Sequence, residues 1–177
     1  MATIKGGDRL VAALAKISRG VSKPATLQVG FPEGATGDDG KPLALRAALN
    51  EFGTGKIPPR PFFRTMISEK SPGWPKTVGD LLKENDYDAV KTLRQAGEGI
   101  KRQLQESIIN TNDPPLSPVT VMLRGMKSKD SSLVVTGKTV GEAAARVAAG
   151  KTNYGASTKP LVESGDMLNG VQSIVKS

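Results

Sequence analysis

Two stretches of the chain come close to the glycine-rich loop that cradles phosphates with backbone amides and reaches them with a lysine. Gly137-Lys138-Thr139 ends one such pattern, but Ser132 stands where its first glycine is required. In the other, Ala145 to Gly150-Lys151-Thr152, an alanine holds that place, and the stretch closes a helical pattern instead of joining a strand to a helix. Neither supports nucleotide binding. Asp38-Asp39 offers hard oxygen ligands, yet a cation site needs several more at set spacing, so an exposed turn is expected. Glu51 beside Phe52 would be a carboxylate of raised pKa if an apolar pocket held it. No second catalytic group accompanies it.

The chain has no Cys and no His. Disulfides, thiolate nucleophiles, and zinc or iron–sulfur sites built on cysteine are therefore excluded. So are imidazole bases, Ser-His-Asp triads and histidine pH switches. Carboxylate, lysine and tyrosine chemistry stay open, but no catalytic, metal or cofactor constellation is identified among the residues. A role other than catalysis is expected.

Charge is the next signal. Twenty-five Lys and Arg against 17 Asp and Glu leave a net charge of +8. The excess leans to 119–159, where seven basic residues face only Asp130 and Glu142. Such a field attracts polyanions and acidic protein surfaces alike. Tyr154 is its one aromatic residue, so stacking on exposed bases is not expected, and contact with nucleic acid would be non-specific phosphate contact. No apolar run approaches the ~20 residues of a membrane span. Met1-Ala-Thr-Ile-Lys-Gly-Gly-Asp8 lacks the apolar core of a signal peptide, so a cytosolic product is expected.

The elements that must position these residues follow from spacing. With 177 residues the chain suffices for one domain, although only 37% are hydrophobic and 4% aromatic. Leu10, Leu14 and Ile17 mark a first helix that Asp8 caps and Gly20 ends. Leu27, Val29 and Phe31 alternate as a half-buried strand does, and Pro32 stops it. Leu45, Ala48, Leu49 and Phe52 have helical spacing up to Gly53. Pro58-Pro59-Arg60-Pro61 reads as a rigid link that starts the helix of Phe62 and Met66. Trp74 to Glu84 makes a short helix with Val78, Leu81 and Leu82 inward. Val90, Leu93, Gly97, Ile100, Leu104 and Ile108 predict the longest helix, roughly 33 Å. Its Gly97 and Gly99 imply a close neighbour or a kink.

Ser117-Pro118 predicts a helix start running to Leu123, and Lys127 to Ser132 a polar, mobile loop. Thr139-Val-Gly-Glu142 has the form of a capping box before an Ala-rich helix that Gly150 ends. A turn and a strand with Val171, Ser173 and Val175 alternating close the chain. The expected fold is α+β: a small strand region packed with several helices, one long helix near 88–110, and extended loops or arms. It is read as a single domain over 1–177. Segments 32–42 and 110–135 are expected to be mobile or to order on assembly. Five of the seven aromatics lie between 31 and 74, so Phe31, Phe52, Phe62 and Phe63 are the predicted core anchor.

Several motifs then carry a resemblance. Asn50-Glu-Phe-Gly-Thr54 followed by Ile57-Pro-Pro-Arg-Pro-Phe-Phe-Arg64 resembles the signature of the tail-completion and virion-morphogenesis proteins of long-tailed bacteriophages. Val29-Gly-Phe-Pro32, Pro115-Leu-Ser-Pro-Val-Thr120 and Pro160-Leu-Val-Glu-Ser-Gly-Asp-Met-Leu-Asn169 are similar to that family in the same order. Glu163-Ser164 replaces its usual Asp-Thr.

The resemblance implies a non-enzymatic virion protein of the neck. It would complete the head-proximal end of the tail for joining to the capsid connector. It would form a ring of copies around the tail axis and touch tail-terminator, tail-tube and connector proteins, with assembly in the host cytoplasm. Arg124, Lys127, Lys129 and Lys151 are the expected interface or DNA-facing residues. A tail terminator or other tube-associated protein, and a small basic nucleic-acid-binding protein, are the alternatives.

Overall fold

The computed structural model describes residues 7–55, 57–151 and 155–176. Of the residues singled out above, Met1 to Gly6, Thr152 and Tyr154 lie outside them. In chain order the elements are α1 (Gly7–Val21), β1 (Thr26–Gly30), α2 (Leu43–Phe52), α3 (Phe62–Lys70), a short 3-10 turn (Ser71–Gly73), α4 (Trp74–Glu84) and α5 (Ala89–Asn110). Then come α6 (Pro118–Lys129), α7 (Gly137–Ala148), the single turn α8 (Asp166–Asn169) and β2 (Gln172–Lys176). The fold is α+β, mostly helical with one two-stranded antiparallel sheet.

Helix α5 is the centre, 22 residues long, and Asp88 caps its start by accepting from the Lys91 amide at 3.0 Å. Against it lie α3, α4 and both strands. The strands come from opposite ends of the sequence and pair with Leu27 opposite Val175 and Val29 opposite Ser173. Their half-buried faces rest on α5 at Gly97. A Cβ there would collide with the Ser173 hydroxyl and stand 2.6 Å from Leu27 Cδ1. Gly99, by contrast, has nothing within 4 Å. Of the two helical glycines, Gly97 alone allows a close approach.

The main core joins Ala47, Phe62, Met66, Leu104, Ile108, Leu161, Met167 and Val171. Phe31, Phe62 and Phe63 meet edge to face, with centroids 6.5 and 6.3 Å apart. Phe52, the fourth predicted anchor, is not part of this core; it is 67% exposed. A smaller cluster, Met122, Met126 and Ala143, holds α6 to α7.

Two expectations change in this second half. Helix α6 passes Leu123 and continues to Lys129, because Gly125 and Met126 are buried on one face, so Lys127 to Lys129 are helical and not loop. The segment 110–135, expected to be mobile or to order on assembly, contains this twelve-residue helix. The capping box of α7 lies one turn earlier than Thr139 and Glu142. The Thr136 hydroxyl accepts from the Thr139 amide and the Thr139 hydroxyl from the Thr136 amide, at 3.4 and 2.8 Å.

Among the described residues, no helix is long and apolar enough to cross a membrane.

Candidate interaction surface

Helix α2 sits with its apolar stripe outward. Its buried residues are Leu43, Ala47 and Glu51, whereas Leu45, Leu49 and Phe52, spaced i, i+4, i+7, are exposed. The cause is Glu51. Its carboxylate accepts from the backbone amides of Phe63 at 2.8 Å and Arg64 at 3.1 Å, the first donors of α3. Those amides have no partner within their own helix and carry its positive dipole end, so a buried carboxylate is stabilised there. Arg64 Nε adds a third bond at 2.8 Å, and Arg64 Nη2 donates to the Glu51 carbonyl at 3.1 Å. Glu51 is therefore a fully engaged structural cap. With that face turned inward, Phe52 is left outside beneath the Arg64 guanidinium, 5.0 Å from its ring.

The turn after α2 keeps this geometry. Gly53 has φ +74°, and a Cβ there would be 2.8 Å from both the Ile57 carbonyl oxygen and the Pro59 nitrogen. The Pro-rich link then runs back along α2, with the Arg60 amide donating to the Asn50 carbonyl at 2.7 Å.

Beside the outward face of α2 lies a groove of about 1360 Å³, closed on its other sides by α6 and by segments 115–118 and 155–167. The four stretches 50–54, 57–64, 115–120 and 160–169 all contribute lining residues, among them Asn50, Arg60, Pro115 and Glu163. Separated in sequence, they meet here in space.

Two guanidinium groups organise the floor. Arg60 is buried and donates to the carbonyls of Pro114 at 2.8 Å and Pro115 at 3.3 Å. Burial and the neighbouring Arg124 cation push its pKa down, and Asp113 offsets part of this through space. Arg124 donates to the carbonyls of Ser157, Lys159 and Pro160 at 3.3, 2.7 and 3.0 Å. Its Nε stands 3.2 Å from Glu163 Oε2, an ion pair without hydrogen-bond alignment. One rim is tied by Arg46, which binds Asp39 at 2.6 Å and Asp166 at 3.0 Å. Hydrogen bonds from Ser164, Arg46 and the Asp38 amide outweigh the effect of burial and hold the Asp166 carboxyl below its usual range.

The predicted site residues separate accordingly. Arg124, expected to face a partner or DNA, lines the groove with a side chain only 10% exposed, which holds 157–163 to α6. Lys127, Lys129 and Lys151 are exposed, and Lys127 alone of these three lines the groove. Asp38 and Asp39 lie in a turn and on the groove rim, and no group of three or more acidic residues able to hold a metal ion exists among the described residues. Arg46, Arg60 and Asp166 were not singled out by spacing, since their partners lie up to 128 residues away.

A second apolar surface is separate from the groove. Helix α1 buries no residue, and Leu10, Val11, Leu14 and Val21 are all about half exposed or more. It is held to the body by the Lys16–Asp86 ion pair at 3.0 Å and by contact of Gly20 with the Tyr87 carbonyl. Each of the two surfaces leaves an apolar helical stripe uncovered by the described residues. Compared with protein-family models, curated proteins and solved structures, the chain matches none.

Proposed function

We propose that the chain is a non-enzymatic structural protein of a bacteriophage neck, which completes the head-proximal end of the tail for joining to the capsid connector. One observation carries this reading. Three of the four motifs that bear the resemblance, 50–64, 115–120 and 160–169, contribute lining residues to one groove, while the fourth, Val29–Pro32, lies at the main core. That is the arrangement expected if those residues serve a common contact. The exposed stripes of α1 and α2 support it further, since two different apolar faces on one chain suit head-to-tail contacts that close into a ring. In this reading copies surround the tail axis and meet tail-terminator, tail-tube and connector proteins, first in the host cytoplasm and then in the virion. Contact with phage DNA, where it occurs, is through the exposed lysines and non-specific.

The test is an amber stop in the gene of the parent phage, with electron microscopy of the lysate. Full heads beside unattached tails of normal length are expected. Tails of abnormal length would transfer the chain to tail termination. Intact infectious virions would reject both roles and leave the nucleic-acid-binding alternative, which predicts a steep salt dependence of duplex binding.

A further inference from the structure

The groove combines an apolar wall with a small excess of positive charge: Lys41, Arg46, Arg60, Arg124 and Lys127 against the carboxylates of Asp38, Asp39, Glu163 and Asp166, with Asp113 acting on Arg60 only through space. Leu45 and Leu49 expose apolar surface along α2, and Ile57 extends that wall. On the floor, Arg60 is bonded only to neutral carbonyl groups, and among the described residues no carboxylate lies within ion-pair distance of it. Lys127 lines the same groove, and it too has no acidic partner within ion-pair distance among the described residues. The other cations of the groove are already neutralised: Arg46 by Asp39 and Asp166, Lys41 by Asp39, Arg124 by Glu163. Buried charges are ordinarily paired, because the desolvation cost of an unpaired one is several kcal/mol. At about 1360 Å³ the groove also exceeds the ~300–1,000 Å³ of ordinary small-molecule pockets and suits a length of polypeptide.

We propose that this groove binds an acidic, apolar polypeptide segment of a partner protein, with a carboxylate facing Arg60 and Lys127 and apolar side chains covering Leu45, Leu49 and Ile57. The complementary charge is what selects the occupant. A basic segment would add like charge beside two unpaired cations, and a purely apolar one would bury Arg60 without a counter-ion. A planar guanidinium already fixed by two carbonyls is also pre-organised, so little side-chain freedom is lost when the carboxylate arrives. The inference rests on the groove being a docking surface and not on the neck assignment.

The experiment uses the full chain and two fluorescein-labelled synthetic peptides, one mixing Glu and Leu and the other with every Glu replaced by Gln. Fluorescence anisotropy is expected to show the Glu peptide binding at least about tenfold more tightly. Lys127→Glu and Leu49→Glu each weaken it about tenfold with an unchanged melting temperature, because both side chains are on the surface. Arg60→Lys weakens it too, and the other two variants carry the test if this one fails to fold. Lys91→Glu, the same charge change on α5 outside the groove, leaves binding as it was. Equal affinity for the two peptides, or no binding of either, overturns the proposal. So does displacement of the Glu peptide by a duplex oligonucleotide, which would assign the groove to phosphate. Self-association abolished by Leu49→Glu, without peptide binding, would give it to a second copy. The amber phenotype is independent of every one of these outcomes.

Discussion

Arg64 donates to Glu51 three times: its amide and Nε reach the Glu51 carboxylate at 3.1 and 2.8 Å, and Nη2 reaches the Glu51 carbonyl at 3.1 Å. Because the Phe63 amide joins the same carboxylate, one side chain of α2 closes the start of α3 and sets which face of α2 is exposed. Glu51→Gln keeps the shape but removes the charge that the amides and guanidinium stabilise. It is expected to cost about 1.5–3 kcal/mol, and Glu51→Ala more, since buried donors are then left unpaired. Urea unfolding measures both. A loss below about 0.5 kcal/mol for Glu51→Ala would show that Glu51 does not fix α2.

The two glycines of α5 should respond in opposite directions to alanine. Gly97→Ala pushes a methyl group into Leu27 and Ser173 and is expected to destabilise by about 1–3 kcal/mol by lifting the sheet from the helix. Gly99→Ala meets nothing within 4 Å and is expected to stabilise by up to about 1 kcal/mol through helix propensity. Shifts of the same sign in the two denaturation midpoints would contradict the packing at Gly97.

Asp166 makes stability depend on pH in the acid range. Burial acts to raise its pKa, but bonds from Ser164, Arg46 and the Asp38 amide prevail and hold it below the ordinary 3.8. A carboxyl depressed on folding contributes stability that is fully present above its unfolded value and is lost as pH falls through the folded one. Melting temperature should therefore change little on account of this group down to about pH 4 and fall below it. Asp166→Asn should melt lower at pH 6 and show a shallower acid decline. Parallel acid declines for the two proteins would remove Asp166 as a source of that dependence.

What the sequence made legible was local. The strand before Pro32, the long helix near 88–110, the Ser117 cap and the terminal strand all follow from signals within a few residues, and the structure has them as Thr26–Gly30, Ala89–Asn110, the start of α6 and Gln172–Lys176. Phe52 shows where such signals stop. Its spacing with Leu45 and Leu49 describes an apolar face correctly, yet which face a helix buries is set by its partners, here the two amides bonded by Glu51. Arg124 shows the same limit. Counted as surface charge, it is consumed by carbonyls more than thirty residues away. The groove itself was present in the sequence only as separate motifs, because its shape is a property of their convergence.

The outward stripes of α1 and α2 can be separated from the core by stability alone. Leu14 and Phe52 are 56% and 67% exposed, whereas Leu104 is fully buried among the residues of the main core. Leu104→Ala leaves a cavity and is expected to cost about 2–5 kcal/mol. Leu14→Glu and Phe52→Ser remove surface that already meets water, so each is expected to change unfolding free energy by less than about 1 kcal/mol, the Phe52 variant losing its contact with Arg64. The same two variants, supplied in trans to the amber phage, are expected to depress infectious titre at least about tenfold, because assembly would bury what folding does not. Wild-type titres from both would mean that neither stripe is covered in the virion. A large loss of monomer stability from Leu14→Glu would instead mean that α1 packs on its own chain.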